Sequence, residues 1–195
     1  MIESSARPWL GRKLKRALLA LAALPVLYLG VGAALPRTWH IEEGIEVAAT
    51  PEALHAIVDD LASFDDWYNH ARDRDERQRV QLSQQTRGVG ATIRWNGLLM
   101  GNGSLTITRS DPQAGVWFDE AIEADTPNAS GSVTFEVTDR GTTNVTWRDE
   151  GTIAAIYGGY YLPGIQDALS DHFKMGLERL KQRAEQPPRV APPPR

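Results

Sequence analysis

Between Ala17 and Leu35 the chain runs ALLALAALPVLYLGVGAAL, 19 residues without a charge. A helix of that length rises roughly 28 Å, about the thickness of a bilayer's hydrocarbon core. It has no polar face to offer water, so lipid or protein must cover it. Pro25 lies inside the run, which a membrane helix tolerates. Arg7, Arg12, Lys13, Lys15 and Arg16 precede it, and Glu42, Glu43 and Glu46 follow it. That bias predicts a single-pass anchor in the inner membrane with its N-terminus cytoplasmic and the folded part on the extracytoplasmic side. Trp39 and His40 stand where an interfacial anchor belongs. A cleavable signal is the competing reading, with Gly32, Ala33 and Ala34 as the cleavage region, although the run exceeds the usual apolar core of about 7–15 residues. A buried soluble helix is the third.

The remaining composition excludes several chemistries. There is no cysteine among the 195 residues, so a disulfide, a thiolate metal site and a thiol nucleophile are ruled out. A net charge of -4 argues against a general nucleic-acid binder, whose basic face would show in the balance. The tail QPPRVAPPPR cannot continue a helix and reads as a disordered end. The expected organisation is therefore a basic cytoplasmic segment at 1–16, a transmembrane helix at 17–35, one folded domain at 36–186 and a disordered proline-rich tail at 187–195.

The folded part opens with Ile41, Ile45 and Val47 alternating with glutamates, which suggests a strand. TPEALHAIVDDL follows, with Thr50 as N-cap, Pro51 in the first turn and Leu54, Ile57, Val58 and Leu61 at helical spacing. Six short period-two segments come next, separated by turns such as Asp111-Pro112, Gly115 and Arg140-Gly141. They predict an antiparallel meander with one wet face. The last element runs from Gly164 to Glu185, with Ile165, Leu169, Phe173, Leu177, Leu180 and Ala184 on one stripe. Gly176 lies in that stripe and marks either close packing or a space for a ligand.

Four stretches in this order carry a resemblance: IEVAATPEALHAIVDDLASFDDW, GVGATIRWNG, GSLTITRSDP and FKMGLERLKQRAE. Together they resemble the START-like (SRPBCC) superfamily, and within it the polyketide cyclase/dehydrase and lipid-transport family, over roughly residues 40–186. LPRTWHIE, after the apolar run, is similar to members that carry an N-terminal membrane helix. The chain departs at Phe64, where many members have a second Trp. The resemblance implies an α+β helix-grip fold, an antiparallel sheet wrapped around a long C-terminal helix, here preceded by one transmembrane helix. It also implies a cavity between sheet and helix for a hydrophobic or lipid-like molecule.

The candidate residues follow. LASFDDWYNH packs Phe64, Trp67 and Tyr68 beside Asp65, Asp66 and His70. Adjacent aspartates diverge, so no metal site is expected, and the aromatics either plug the core or rim a cavity. In VWFDEAIE the inward set Val116, Phe118 and Glu120 puts a carboxyl on an apolar face, unless a bulge turns it to solvent. Asp149 follows the inward Trp147 by two residues, as an ion-pair partner of Arg94 or Arg148 or as a second acid. Glu120, Asp149 and His172 are the catalytic candidates, with the catalytic set itself left unassigned. Trp67, Trp95, Phe118, Trp147, Tyr157, Tyr160 and Phe173 are the ligand-binding candidates, the tyrosines of YGGYYLPG as a gate. No cofactor or nucleic acid is expected. The leading reading is a membrane-anchored carrier of a small hydrophobic molecule, leaning away from an enzyme. A cyclase- or dehydratase-like enzyme and a non-catalytic interaction module are the alternatives.

Overall fold

The computed structural model describes residues 8–68, 78–98 and 101–186. His70 and the tail from residue 187 lie outside the described residues. The chain divides into two compact units, Met1–Arg37 with Ile153–Pro163, and Thr38–Thr152 with Gly164–Arg195.

In the first unit, helix α1 covers Pro8–Ala34. Its stretch Lys13–Ala34 is 22 residues with mean hydropathy 2.1, long and apolar enough to cross a membrane, a test that a signal sequence also passes.

The second unit holds the sheet. Strand β1 (Thr38–Val47) leads into α2 (Pro51–Val58), where the Thr50 side chain accepts a hydrogen bond from the Ala53 amide at 3.4 Å. A 3-10 turn at Leu61–Ser63 runs into α3 (Phe64–Trp67). The meander is β2 (Arg79–Leu82), β3 (Thr92–Gly97), β4 (Gly101–Asp111), β5 (Gly115–Ile122), β6 (Ala129–Val137) and β7 (Thr143–Thr152). Every pairing is antiparallel, and the order is β1-β7-β6-β5-β4-β3-β2, so β1 closes onto the last strand. Helix α4 spans Leu162–Glu185.

One face of the sheet is the core. Alternation puts Ile93, Leu105, Ile107, Val116, Phe118, Val133, Phe135, Val145 and Trp147 inside. Val137 does not follow its strand's alternation inward and is 60% exposed. The apolar face of α4 meets this core through Phe173, Leu177 and Leu180, all buried, while Ile165 in its first turns is exposed. The stripe read from sequence is thus used only in its second half. Phe173 stacks on Trp147 with ring centroids 4.1 Å apart. Gly176 is the reason the helix can come so close. A Cβ there would lie 2.8 Å from Trp147 Cζ3, so the glycine marks packing and not ligand space. Polar ties fix α4 against β1: Ser170 Oγ donates to Glu43 at 2.5 Å, and Lys181 Nζ donates to the Glu46 carbonyl at 3.0 Å. This is the helix-grip arrangement, an α+β fold with the sheet wrapped around the last helix.

Candidate functional site

The interior holds two neighbouring features, an aromatic box and a buried acid pair. Phe64, Trp67 and Tyr68, from α3 and its C-cap, face Trp147 of β7. The Trp67 and Trp147 rings meet edge-on at 5.4 Å, Tyr68 lies 5.0 Å from Trp147, and Phe64 stacks on Tyr68 at 3.9 Å. With Val58, Leu61, Leu105, Ile107, Val116 and Phe118 they line an apolar void of about 10 Å³, the room of a single water molecule. Trp67 Nε1 and Trp147 Nε1 are buried and have no hydrogen-bond partner among the described residues. Buried donors are nearly always satisfied in native proteins, because an unmet one costs its full desolvation.

The acid pair sits two residues along the same strands. Glu120 is paired with Ala129, and Asp149 with Gly131. Small residues on β6 therefore lie between two long side chains on β5 and β7. That leaves room for the carboxyls to meet diagonally across the strand. Glu120 is 3% exposed and Asp149 4%. Burial is the largest influence on both. It pushes Glu120 well above the carboxylate range, helped by the charge of Asp149 and by a hydrogen bond to it. Burial raises Asp149 to about 6, while hydrogen bonds from the Trp39 indole and from Glu120 hold it back and the charge of Glu150 adds a further rise. Like charges in a dry site cannot both ionise cheaply, so the pair favours sharing one proton, with Glu120 the stronger holder. Trp39 Nε1 donates to Asp149 Oδ1 at 2.5 Å. Glu120 Oε1 meets no donor among the described residues. Burial, with the charges of Glu120 and Asp149, also lifts the Tyr68 phenol well above its ordinary value.

The family described as polyketide cyclase / dehydrase and lipid transport matches residues 38–185. The chain belongs to this family. Three solved structures share the fold. Protein CV1439 from Chromobacterium violaceum is 14% identical with a TM-score of 0.53, covering 78% of this chain and 100% of its own. The Aha1 dimer from Colwellia psychrerythraea is 16% identical with a TM-score of 0.53, covering 75% and 96%. Protein SA2116 from Staphylococcus aureus is 12% identical with a TM-score of 0.55, covering 76% and 95%. No curated protein matches the chain in sequence.

In this polyketide cyclase / dehydrase and lipid-transport domain the structure gathers Trp67, Phe118 and Trp147 around the void, with Phe173 stacked behind Trp147. It brings Glu120 and Asp149 together, inward and not on a bulge. Asp149 pairs with neither arginine proposed for it. Arg148 points to the opposite face and binds Glu42 at 2.6 Å. His172 is half-buried with its ring 5.2 Å from Tyr68, so it borders the box. Trp95 does not line the void. It covers Gly103, where a Cβ would fall 2.3 Å from its ring, and borders an open cleft of about 800 Å³ with Arg79, Arg94 and Glu123. Tyr157 and Tyr160 belong to the other compact unit and do not line this void. Asp66 pairs with Arg183 across to α4.

Trp39 is the correction. Sequence placement beside the apolar run suggests an interfacial anchor, yet Trp39 is 5% exposed and holds Asp149. Its parity with Ile41 and Val47 was the available signal, since all three share one strand face. The register supplies the rest: Trp39 lies opposite Gly151, whose missing side chain leaves space for the indole. A second cluster also assembles only in three dimensions. His55 Nε2 lies 2.8 Å from Ser110 Oγ, and Ser110 Oγ donates to Asp59 at 2.6 Å. The serine's proton goes to the aspartate, so the histidine cannot activate it as a nucleophile; the cluster ties α2 to β4.

Proposed function

We propose that this chain is a membrane-anchored domain that binds a small, largely apolar molecule carrying hydrogen-bond-accepting oxygen, between the sheet and the α2–α3 segment that covers it. One observation carries the reading. Two buried indole N–H groups, of Trp67 and Trp147, have no partner among the described residues, and both tryptophans line the apolar box. A carbonyl or ether oxygen would satisfy them, and the aromatic walls would cover the remainder of such a ligand. The wall that must yield is α3, four residues long, whose Phe64 and Trp67 side chains fill the space. The apolar helix at Lys13–Ala34 supports the location, because apolar ligands concentrate at a bilayer.

The test is extraction of the full chain purified in discs of its own membrane, followed by mass spectrometry. One oxygen-bearing apolar class should appear near 1:1 with the wild type, as in a single-site carrier. It should be depleted in Trp67→Phe/Trp147→Phe, which keeps the rings and removes the donors. Equal recovery from both proteins, or none from either, rejects the reading.

The acid pair favours a second reading, a cyclase- or dehydratase-like enzyme. Glu120 would give a proton to a leaving or carbonyl oxygen, and Asp149 would accept one from carbon. Asp149→Asn separates the two. A carrier keeps the same bound molecule, whereas an enzyme accumulates substrate in place of product.

A further inference from the structure

Residues 153–163 read IAAIYGGYYLP, eleven positions without an Asp, Glu, Lys, Arg or His. This segment links β7 to α4, and it is fixed to the last turns of α1. Tyr160 stacks on Tyr28 with centroids 4.6 Å apart and planes 6° from parallel. Its hydroxyl donates to the Tyr28 carbonyl at 2.6 Å. The Ile153 amide donates to the Arg37 carbonyl at 2.8 Å, and Arg37 donates back to the Ala154 carbonyl at 3.2 Å.

Two glycines set the approach. A Cβ on Gly32 would lie 2.9 Å from the Ile156 carbonyl oxygen and 2.9 Å from the Tyr160 ring. One on Gly159 would lie 2.5 Å from Leu35 Cβ. Close, bare-backbone contact of this kind is what a strap laid along a helix requires.

The outer surface of the strap is apolar. Ile156, Tyr157 and Tyr161 are 43%, 51% and 58% exposed, and Tyr28 beside them is 45% exposed. Helical spacing continues the Tyr28 face through exposed apolar residues of α1 at i−7, i−4 and i+3, namely Leu21, Leu24 and Val31. Contiguous apolar surface of this extent marks a contact site, not a solvated loop. Its depth can be stated. Tyr28 precedes Ala34 by six positions, so Tyr160 sits about 9 Å short of the end of α1 at the helical rise. Backbone at that depth needs internal partners, and the strap has them: Gly158, Tyr160 and Tyr161 amides donate to the Ala155, Tyr157 and Gly158 carbonyls at 2.8, 3.2 and 3.0 Å. Tyrosine suits this level, with an apolar ring and a polar tip.

We propose that Ile153–Pro163 is a second membrane-contacting element, a tyrosine strap seated at the headgroup–acyl boundary of the leaflet that holds the C-terminal end of α1. Its partner is the lipid bilayer itself. The inference rests on α1 being an uncleaved anchor. It gives the domain two attachments to the same leaflet, one leading into β1 at Thr38 and one leaving β7 at Thr152, residues that are paired at one end of the sheet's closing strand pair.

The absence of cysteine makes the test clean, because every introduced thiol is unique. Single variants Leu24→Cys, Tyr157→Cys, Tyr161→Cys and Glu136→Cys of the full chain are labelled with a nitroxide and reconstituted in phosphatidylcholine/phosphatidylglycerol vesicles. Collision with oxygen, which favours lipid, is compared with collision with a nickel chelate, which stays in water. Labels at 157 and 161 should show an oxygen-to-nickel ratio several-fold above that at 136 and below that at 24. Lipid exposure at 24 with water exposure at 157 and 161 overturns the strap and leaves the anchor standing. Water exposure at all four positions overturns the anchor, and the strap with it. All three strap and helix positions are solvent-accessible side chains, so their replacement removes no core packing.

Discussion

The molecule contains two aromatic clusters built from similar residues and used in opposite ways. Trp67, Trp147 and Phe173 are 2%, 1% and 2% exposed, whereas Tyr157 and Tyr161 are 51% and 58% exposed. The first cluster sits between a sheet face and an amphipathic helix, and each ring removes large apolar area from water. The second lies along a helix with no polar face and stays uncovered by the chain. Aromatic content in a sequence therefore identifies neither core nor pocket. What decides is whether the chain itself supplies a second layer.

The largest expected effect separates the clusters directly. Trp147→Ala should cost about 3–5 kcal/mol in denaturant unfolding, as for other buried aromatic truncations. Tyr161→Ala should stay within about 0.5 kcal/mol, as at other exposed positions. A comparable loss at Tyr161 would make the second cluster a core as well.

The acid pair gives the next effect, in pH. The folded Asp149 carboxyl titrates at about 6 against an ordinary 3.8. The folded state therefore binds protons that the unfolded state has already released. Stability is highest below the ordinary value and is lost as pH rises through about 6. Acidification from pH 7 toward 4 should stabilise the wild type relative to Glu120→Gln/Asp149→Asn, by about 2 kcal/mol from Asp149 with the raised Glu120 adding in the same direction. Identical pH profiles for the two proteins would remove the shared-proton description. Trp39→Phe, lacking the indole donor, should move the wild-type midpoint upward.

Gly176→Ala sharpens the packing half of the comparison. Alanine is the better helix former by about 1 kcal/mol, but its methyl meets Trp147 at 2.8 Å. Overpacking costs about 1–3 kcal/mol, so a net loss in thermal or denaturant stability is expected. A gain would show that the helix can move off the tryptophan. The smallest effect belongs to Tyr160→Phe. Losing the hydroxyl bond to Tyr28 should cost about 1 kcal/mol or less. It should appear as faster hydrogen exchange in residues 153–161 without a change in the sheet.

Much of this was legible beforehand, for reasons that are local. Period-two runs gave the strands, and Thr50-Pro51 gave the start of α2. The helical stripe gave α4, although only its Phe173, Leu177 and Leu180 half is buried. The inward face of Glu120 followed from counting along VWFDEAIE, yet the same count allowed a bulge. The pairing of Glu120 with Asp149 was not legible. It depends on β5 and β7 sharing β6 as a neighbour, and on Ala129 and Gly131 leaving space between them. Trp39 was misplaced because proximity in sequence to an apolar run outweighed its parity. Tyr157 and Tyr160 were expected at the interior gate, because nothing in YGGYYLPG reveals that Gly32 and Gly159 let the segment lie on α1.

By itself, then, the sequence determined the alternation, the caps, the apolar span and the family, since each is written in residues a few positions apart. Tertiary structure decided which aromatics face each other, which acids share a proton and which glycines carry a neighbour's ring. Those depend on strand register and helix approach, where a shift of one residue turns every side chain to the other face.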